Sequence, residues 1–417
     1  MNNSNKVFIQ MPEGALFIIN ALARASREAY AVGGCVRDGL LGKTPVDWDI
    51  ATNANPEKIT SVFKKVGCLV VPTGVKHGTV TVVYKKTHYE VTTYRVDGDY
   101  TDGRRPESVV FTDDLTGDLS RRDFTINAMA YNDEAGLIDP FGGRGDLARR
   151  LVRCVGSAEK RMAEDYLRML RAYRIAATLD FTIDGEIIRT VSENKHKLKE
   201  ISAERIRVEF EKTLLNGCPG GIDSFLDAFL SVIISDQRVA DASGELKKIL
   251  RAAGRDIIIM LAAVLLPVET DKAEAELRSL KYDNDTIKRA AEVHRFAKTK
   301  IKADKPSVKR VMSRTGAELF SKINSLQKAV CAARGGDLDE YAEKDKLLDE
   351  ILENNEPYSL RSLAITGDDI MRELSAKPGE WVGIELNRLL GAVMRDPSLN
   401  DKNALLEIVK ESPVHET

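Results

Sequence analysis

Two aspartates one residue apart, Asp47 and Asp49, follow closely on a Gly33-Gly34 pair. In an extended strand, side chains at i and i+2 share a face. The spacing therefore aims both carboxylates at one spot and turns Trp48 the other way. Convergent carboxylates make a hard-oxygen site suited to Mg²⁺. Glycines, lacking Cβ, let backbone N–H groups approach phosphate oxygens. The apolar run Tyr30-Ala31-Val32 before the glycines and Ile50 after the acidic pair read as buried strands. Taken together, these residues point to metal-assisted phosphoryl or nucleotidyl transfer. Alone, a D-x-D or a Gly-Gly is an ordinary surface turn; the weight comes from their joint occurrence with features further along the chain.

The second group is Glu164-Asp165-Tyr166-Leu167-Arg168-Met169-Leu170-Arg171-Ala172-Tyr173-Arg174. The stretch from Glu164 to Leu179 lacks Gly and Pro and has apolar spacing near 3.6, which predicts a helix. On it Asp165 and Arg168 are neighbours on one face, and Arg171 and Arg174 extend the row. A solvated charged face is the commoner fate of such a row. The chemical reading is sharper. A carboxylate only accepts hydrogen bonds and a guanidinium only donates them. Side by side, they match the edges of cytosine and adenine, where an amino donor sits beside a ring-nitrogen acceptor. Uracil and guanine present the reverse order. Asp165 with Arg168 thus admits CTP and ATP, and a wrong base leaves polar groups unpaired at roughly 1–3 kcal/mol each. Arg171 and Arg174 are then free for phosphates or further base contacts.

The elements that must position these groups fall into two regions. The first ~145 residues carry nearly all the strand signals. Thr79 to Tyr84 and His88 to Arg95 alternate in β-branched style around a Lys85-Lys86-Thr87 turn, a hairpin. Val70 to Gly78 reads as turn-rich. Asn55-Pro56-Glu57 opens a helix running to about Lys65. Asp97 to Glu107 reads as a mobile surface loop, and Arg121 to Ala130 begins a helix or a buried strand. From about Ser157 the pattern is helical, with Ser202 as an expected N-cap. Further helices are expected over Glu245–Leu266, Asp285–Lys300 and Ala317–Ala333, and breaks at Asn216–Gly220 and Asn354–Pro357.

Bulk properties narrow the class. The 417 residues allow several domains, and 43% apolar with 30% charged residues describes a soluble globular chain. No run approaches the ~18 apolar residues of a membrane span, and no secretory signal is evident, so no membrane association is expected. Five scattered cysteines and five scattered histidines contain no C-x-x-C, His-Asp or H-E-x-x-H pattern. That argues against structural zinc and histidine-metal hydrolysis, and makes a reducing cytoplasm the natural setting. The net charge of −2 is nearly neutral, but between Arg278 and Arg314 twelve Lys or Arg face four Asp or Glu. Lys298, Lys300, Lys302, Lys305, Lys309 and Arg310 form the core of that patch, which is expected to contact RNA phosphates. The sequence does not set an oligomeric state.

Several ordered motifs resemble the class II tRNA nucleotidyltransferase and bacterial poly(A) polymerase family. They are Gly33-Gly34-x-Val36-Arg37-Asp38, Leu41-Gly42, Asp47-x-Asp49, Arg121-Arg122-Asp123-Phe124-Thr125-x-Asn127-Ala128 and Glu164-Asp165-x-x-Arg168-Met169-Leu170-Arg171. Ile138-Asp139-Pro140-Phe141-Gly142-Gly143 and Ile201-Ser202-Ala203-Glu204-Arg205-Ile206 fit as well, and the tail motifs Ile365-Thr366-Gly367-Asp368-Asp369 and Pro378-Gly379 more loosely. The resemblance implies an α+β fold: a polymerase-β-like nucleotidyltransferase head with a mixed sheet over 1–145, then an all-α neck (146–215), body (216–335) and tail (336–417). It implies template-independent addition of C, C and A to the tRNA 3′ end from CTP and ATP, with release of pyrophosphate. By position, Asp47 and Asp49 hold Mg²⁺, Gly34 and Arg37 contact the triphosphate, and Arg122, Asp165, Arg168, Arg171 and Arg174 bind the nucleotide. Glu90, on the hairpin, is the candidate third carboxylate. Tyr166, Ile175 and Arg105 depart from the residues common in the family. The alternatives are a poly(A) polymerase, an enzyme adding only CC or only A, and a catalytically inactive tRNA-binding protein.

Overall fold

The computed structural model describes residues 8–98 and 109–411. The loop expected over 97–107, with Arg105, lies outside them but for its first two residues. The chain divides into two compact units, Met1–Ile233 and Ile234–Thr417. It is an α+β protein, with a mixed-sheet head followed by helices.

The head is built on strands β1 (Ala29–Val32), β2 (Asp49–Thr52), β3 (Leu69–Gly74), β4 (Thr79–Tyr84) and β5 (Thr87–Thr93). A short ribbon pairs β6 (Arg95–Asp97) with β7 (Val109–Phe111), and β8 (Ala130–Asn132) and β9 (Gly136–Ile138) rejoin the main sheet. The main sheet runs β3-β4-β5-β2-β1-β8-β9, antiparallel except where β2 lies parallel to β5. Lys85 and Lys86 close the β4–β5 hairpin with φ of 47° and 69°, the double left-handed turn that matches strand twist. Of the stretch expected to be turn-rich, Val75–Gly78 is a tight turn ending in left-handed Gly78, but Val70–Gly74 belongs to β3, an edge strand, where Pro72 costs no interior ladder bond.

Helices α1 (Glu13–Arg24) and α3 (Pro56–Lys65) pack against the sheet. Asn55 caps α3 by accepting from Lys58 N at 2.8 Å, and Pro56 takes the first position, where a missing N–H is harmless. Tyr30, Val32, Ala51 and Ala130 form a cluster with Leu115 and Leu119 of α4 (Leu115–Ser120). Helix α2 (Gly34–Leu40) leaves the end of β1, and α5 (Gly143–Ala148) follows β9. The segment expected to be helix or strand after Arg121 is a single tight turn, Thr125–Asn127, feeding β8.

The rest of the first unit is helical: α6 (Ala158–Glu164), α7 (Leu167–Leu179), α8 (Gly185–Asn194), α9 (Ala203–Asn216) and α10 (Pro219–Ile233). Two two-residue strands, β10 (Leu151–Val152) and β11 (Thr182–Ile183), stitch it together. α7 packs on α9 and α10 through Tyr173, Phe210, Phe225 and Phe229. At Gly221 a Cβ would lie 2.3 Å from Ala177 Cα, so glycine permits the α7–α10 contact. Ser202 begins α9 but makes no side-chain cap bond.

The second unit holds α11 (Gln237–Asp241), α12 (Ser243–Ala252), α13 (Ile257–Val264), α14 (Thr270–Ser279), α15 (Asn284–Ala297) and α16 (Lys305–Ala333). α17 (Asp339–Glu353), α18 (Gly367–Glu373), α19 (Glu380–Arg395) and α20 (Lys402–Glu411) complete it. The single helix expected over Glu245–Leu266 is two, because Asp256 turns its carboxylate onto Ile258 N and Ile259 N and starts α13 anew. α13 is buried all round, with α12, α15 and α16 about it. α16 kinks at Gly316, where φ is 80°. A separate apolar cluster joins α18, α19 and α20 through Ile370, Leu389, Val393 and Leu405.

Candidate active site

Strand register assembles the head's polar groups at one end of the sheet. Val32, the last residue of β1, pairs with Asp49, the first of β2. Asp49 pairs in turn with Glu90 of β5. The Gly33-Gly34 turn therefore sits beside Asp49, with Glu90 on the other flank. Asp47 lies two residues ahead of Asp49, the start of β2; both aspartates are exposed while Trp48 between them is buried, the alternation expected of a D-x-D on an extended segment. Gly33 has φ of 82°, and a Cβ on it would meet Arg122 Nη1 at 3.0 Å. The backbone conformation requires glycine, and a side chain there would also push the arginine tip aside. Gly34 opens α2 with no side-chain cap, leaving first-turn amides available to an anion.

The acidic groups repel one another. Crowding by protein atoms raises the Asp49 pKa above the ordinary carboxylate value; Glu90 and then Asp47 add to the rise, and Arg122 opposes it. A bound cation would relieve that repulsion. Among the described residues, no three Asp, Glu, His or Cys side chains are gathered into a ready-made metal cage. The carboxylates instead offer an open, all-oxygen face of the kind Mg²⁺ uses, with water and substrate phosphates as further ligands. This donor set fits a hard divalent cation. Arg122 donates to Asp118 at 3.3 Å, and its buried Nε has no partner. Cys35, beneath the turn, is pushed up to about 11 by burial and its thiol reaches Val32 O at 3.3 Å, so it is an inert filler at neutral pH.

A hydrogen-bonded chain runs from this end of the sheet into the helices. Arg37 clasps Asp38 at 2.8 and 3.0 Å and donates Nη1 to Asn127 Oδ1 at 2.9 Å. Asn127 donates to Asp123 at 3.3 Å, and Asp123 receives Nε and Nη2 of Arg171 at 2.8 and 2.6 Å. Glu209 of α9 lies 4.0 Å from Arg171 and pairs closely with Arg174. Burial alone would raise the Asp123 pKa; the Arg171 charge and hydrogen bonds, with Arg168 and Asn127 behind them, hold it at about 2 instead. The Arg171 pKa is raised by Asp123, against burial.

The base-reading pair is arranged differently from the sequence expectation. The helix breaks at Asp165, whose φ of −155° and ψ of 105° are extended. Its carboxylate accepts from Leu167 N at 3.1 Å, starting α7, and from Arg205 of α9 at 2.6 and 3.3 Å. Arg168 pairs with Glu164 and donates to Arg161 O at 2.9 Å. Asp165 and Arg168 therefore flank a turn and do not share one helix face. The cause is that an Asp competes well for the backbone amides of a helix start. Arg171 and Arg174 are likewise not free: they are held by Asp123 and Glu209. Asp123, Asn127, Arg205 and Glu209 carried no role in the sequence reading. Asp123, Asn127 and Arg205 stand within the family-like motifs, but nothing in the spacing marks Glu209 as buried.

The carboxylate pair on neighbouring strands, the glycine turn and the arginine over it define a nucleotidyltransferase head. Comparison with known proteins agrees. Residues 29–153 match the poly A polymerase head domain, 180–222 the "probable RNA and SrmB-binding site of polymerase A", and 255–409 tRNA nucleotidyltransferase domain 2. The CCA-adding enzyme of Ligilactobacillus salivarius is 37% identical over 95% of this chain and 96% of its own. That of Bacillus velezensis is 36% identical over 94% and 96%. The structure resembles the Bacillus stearothermophilus CCA-adding enzyme in complex with CTP, with TM-score 0.78 and 30% identity over 96% of this chain and 98% of that one. The chain belongs to the CCA-adding enzyme family.

Proposed function

We propose that this enzyme adds C, C and A to the 3′ end of tRNA without a template, using CTP and ATP with Mg²⁺ and releasing pyrophosphate. One observation carries the reading. The glycine turn, Asp49, Glu90 and Arg122 meet at one end of the sheet, and the Arg37–Asn127–Asp123–Arg171 chain ties that end to the start of α7.

The residue roles follow from this layout. Asp47 and Asp49, with Glu90 beside them, would hold Mg²⁺. When bound, the ion supplies Lewis acidity to the attacking 3′-hydroxyl and to the α-phosphate. Amides at Gly34 and the Arg122 guanidinium receive the triphosphate, where charge-assisted donors are strongest. Arg37, clasped by Asp38 and Asn127, stands rigid for the same role. Asp165 and Arg168 read the base edge; to do so the base competes with Arg205 and Glu164. Arg171 and Arg174 hold the nucleotide side of α7 in place through Asp123 and Glu209. The five free thiols fit a reducing cytoplasm, and no helix among the described residues is long and apolar enough to cross a membrane.

The test is direct. Purified protein is given tRNAs lacking one, two or three terminal nucleotides, with each NTP singly and in pairs, and products are sized on a gel. CTP alone should add two residues to the shortest tRNA, and CTP with ATP should add three and stop. A long ladder from ATP alone, or a stop at CC with both nucleotides present, would replace this reading by a poly(A) or CC-adding one.

A further inference from the structure

The basic stretch in the second unit divides into two populations. Lys305 and Lys309 anchor α16: they meet Glu356 at 2.7 and 2.6 Å, and Lys309 is buried. Lys298 is turned inward onto Val268 O. The other cations behave differently. Lys300, Lys302, Arg310 and Arg314 are exposed and line one cavity of about 570 Å³ between the α15–α16 connection and the first turns of α16. None of the four has an ion-pair partner among the described residues. Their geometry is built. Ile301 is buried and pins the loop, so Lys300 and Lys302 on either side of it both project outward. Arg310 and Arg314 stand one turn apart on α16 with no acid between them, an arrangement that weakens a helix unless an anion joins them. The acid on the cavity wall, Asp304, accepts from Ser307 N at 2.8 Å as the N-cap of α16; its charge also faces Lys302 and Arg310, though not as closely as an ion pair, and it offsets only part of the positive charge there.

We propose that this cavity is a seat for backbone phosphates of the RNA substrate, with Arg310 and Arg314 as its forked donors and Lys300 and Lys302 as its rim. This rests on the tRNA reading above and deepens it: four particular cations, not the whole basic stretch, hold the RNA in the second unit. The planar guanidinium fork matches phosphate oxygens bidentately, and the flexible lysines adapt to the neighbouring phosphate. The absence of aromatic side chains apart from Phe296 on its walls fits recognition of backbone and shape, not of stacked bases.

The experiment uses the full chain, its R310Q/R314Q variant and, as a control from the same stretch, K305Q. Binding of labelled tRNA lacking its terminal CCA is followed by fluorescence anisotropy from 50 to 300 mM salt, beside steady-state kinetics for tRNA and CTP. R310Q/R314Q should weaken tRNA binding about 10-fold and flatten the plot of log affinity against log salt by roughly 0.7–0.9 per lost phosphate contact. KM for tRNA should rise accordingly while KM for CTP stays within twofold. K305Q should lower the melting temperature and leave the salt slope unchanged. Unchanged affinity and slope in R310Q/R314Q, with the wild type extending tRNA normally, overturns the proposal. A wild type that binds RNA with this arginine dependence yet extends nothing sinks the functional reading and leaves the phosphate seat standing. Tripolyphosphate is the further arm. If it protects the wild type against thermal unfolding, and R310Q/R314Q removes that protection without weakening tRNA binding, the cavity takes free polyphosphate and the RNA proposal fails.

Discussion

At Gly33 the backbone and the Arg122 guanidinium share a space with no room for a side chain. Gly33→Ala forces either the left-handed φ of an alanine or a displaced arginine. We expect a loss of kcat/KM of roughly 10–100-fold with about 1–3 kcal/mol of stability, read by initial rates beside urea denaturation. Asp49→Asn keeps the shape and removes the charge that a cation needs. Turnover should fall by roughly 10³-fold or more while tRNA affinity stays within twofold, measured by extension assay and anisotropy. A variant that still turns over would remove Asp49 from the site. At this scale the sequence was most legible where a period of two does the work, so Asp47, Trp48 and Asp49 alternate as expected. It was least legible where a role depends on a buried partner far along the chain. Asp123 and Arg171 are 48 residues apart, and no local pattern announces that one neutralises the other.

Among the elements, the turn between α6 and α7 matters most for specificity. Arg205 holds both oxygens of Asp165, so α9 sets the attitude of the proposed base reader. If Asp165 reads the base as proposed, Arg205→Gln should narrow the preference for CTP over UTP, seen as more UMP incorporation than in the wild type; unchanged discrimination would detach Arg205 from base reading. Asp123→Asn removes the counter-charge from Arg171, where α7 meets the head. Asp123 is buried but the Arg171 side chain is 36% exposed, so water screens part of the loss. A destabilisation of about 1–3 kcal/mol in denaturant unfolding is expected, below the ~3–5 kcal/mol of a fully buried pair, and a change under ~0.5 kcal/mol would show the pair to be well solvated. The helix pattern of 164–179 was readable, but its break at Asp165 was not. Periodicity reports which residues face a core and is blind to a carboxylate that captures an amide. The same physics divides α12 from α13 at Asp256. Conversely, β3 was hidden because an edge strand tolerates the proline and glycine that elsewhere mark a turn.

For the molecule as a whole, one source of acid sensitivity is a buried imidazole in the second unit. In the second unit, His294 is buried between Leu265 O, to which its Nε2–H donates at 3.0 Å, and Thr270 Oγ1 at 3.1 Å from Nδ1. Burial, with Lys298 nearby, pulls its pKa down to about 4. In the unfolded chain the imidazole titrates near ~6.5. Between those values the unfolded chain binds more protons, so stability is full above pH ~6.5 and is lost as pH falls toward 4, by on the order of 1–3 kcal/mol. His294→Gln should flatten the melting temperature between pH 6.5 and 4.5; an equally steep curve would assign the acid sensitivity elsewhere. The α+β class was readable from where strand signals give way to helix signals near Ser157, a point that lies inside the first unit and not at its border; the division of the basic stretch into anchoring and open cations needed the fold. One further consequence follows from the polar chain running from Arg37 to Glu209. A fragment ending near β10 would retain every proposed metal-binding carboxylate yet leave Asp123 stripped of its guanidinium and Arg37 without a firm backing. The catalytic lobe is thus not a transplantable cassette: any chimera that borrows it must import α7 and α9 along with it.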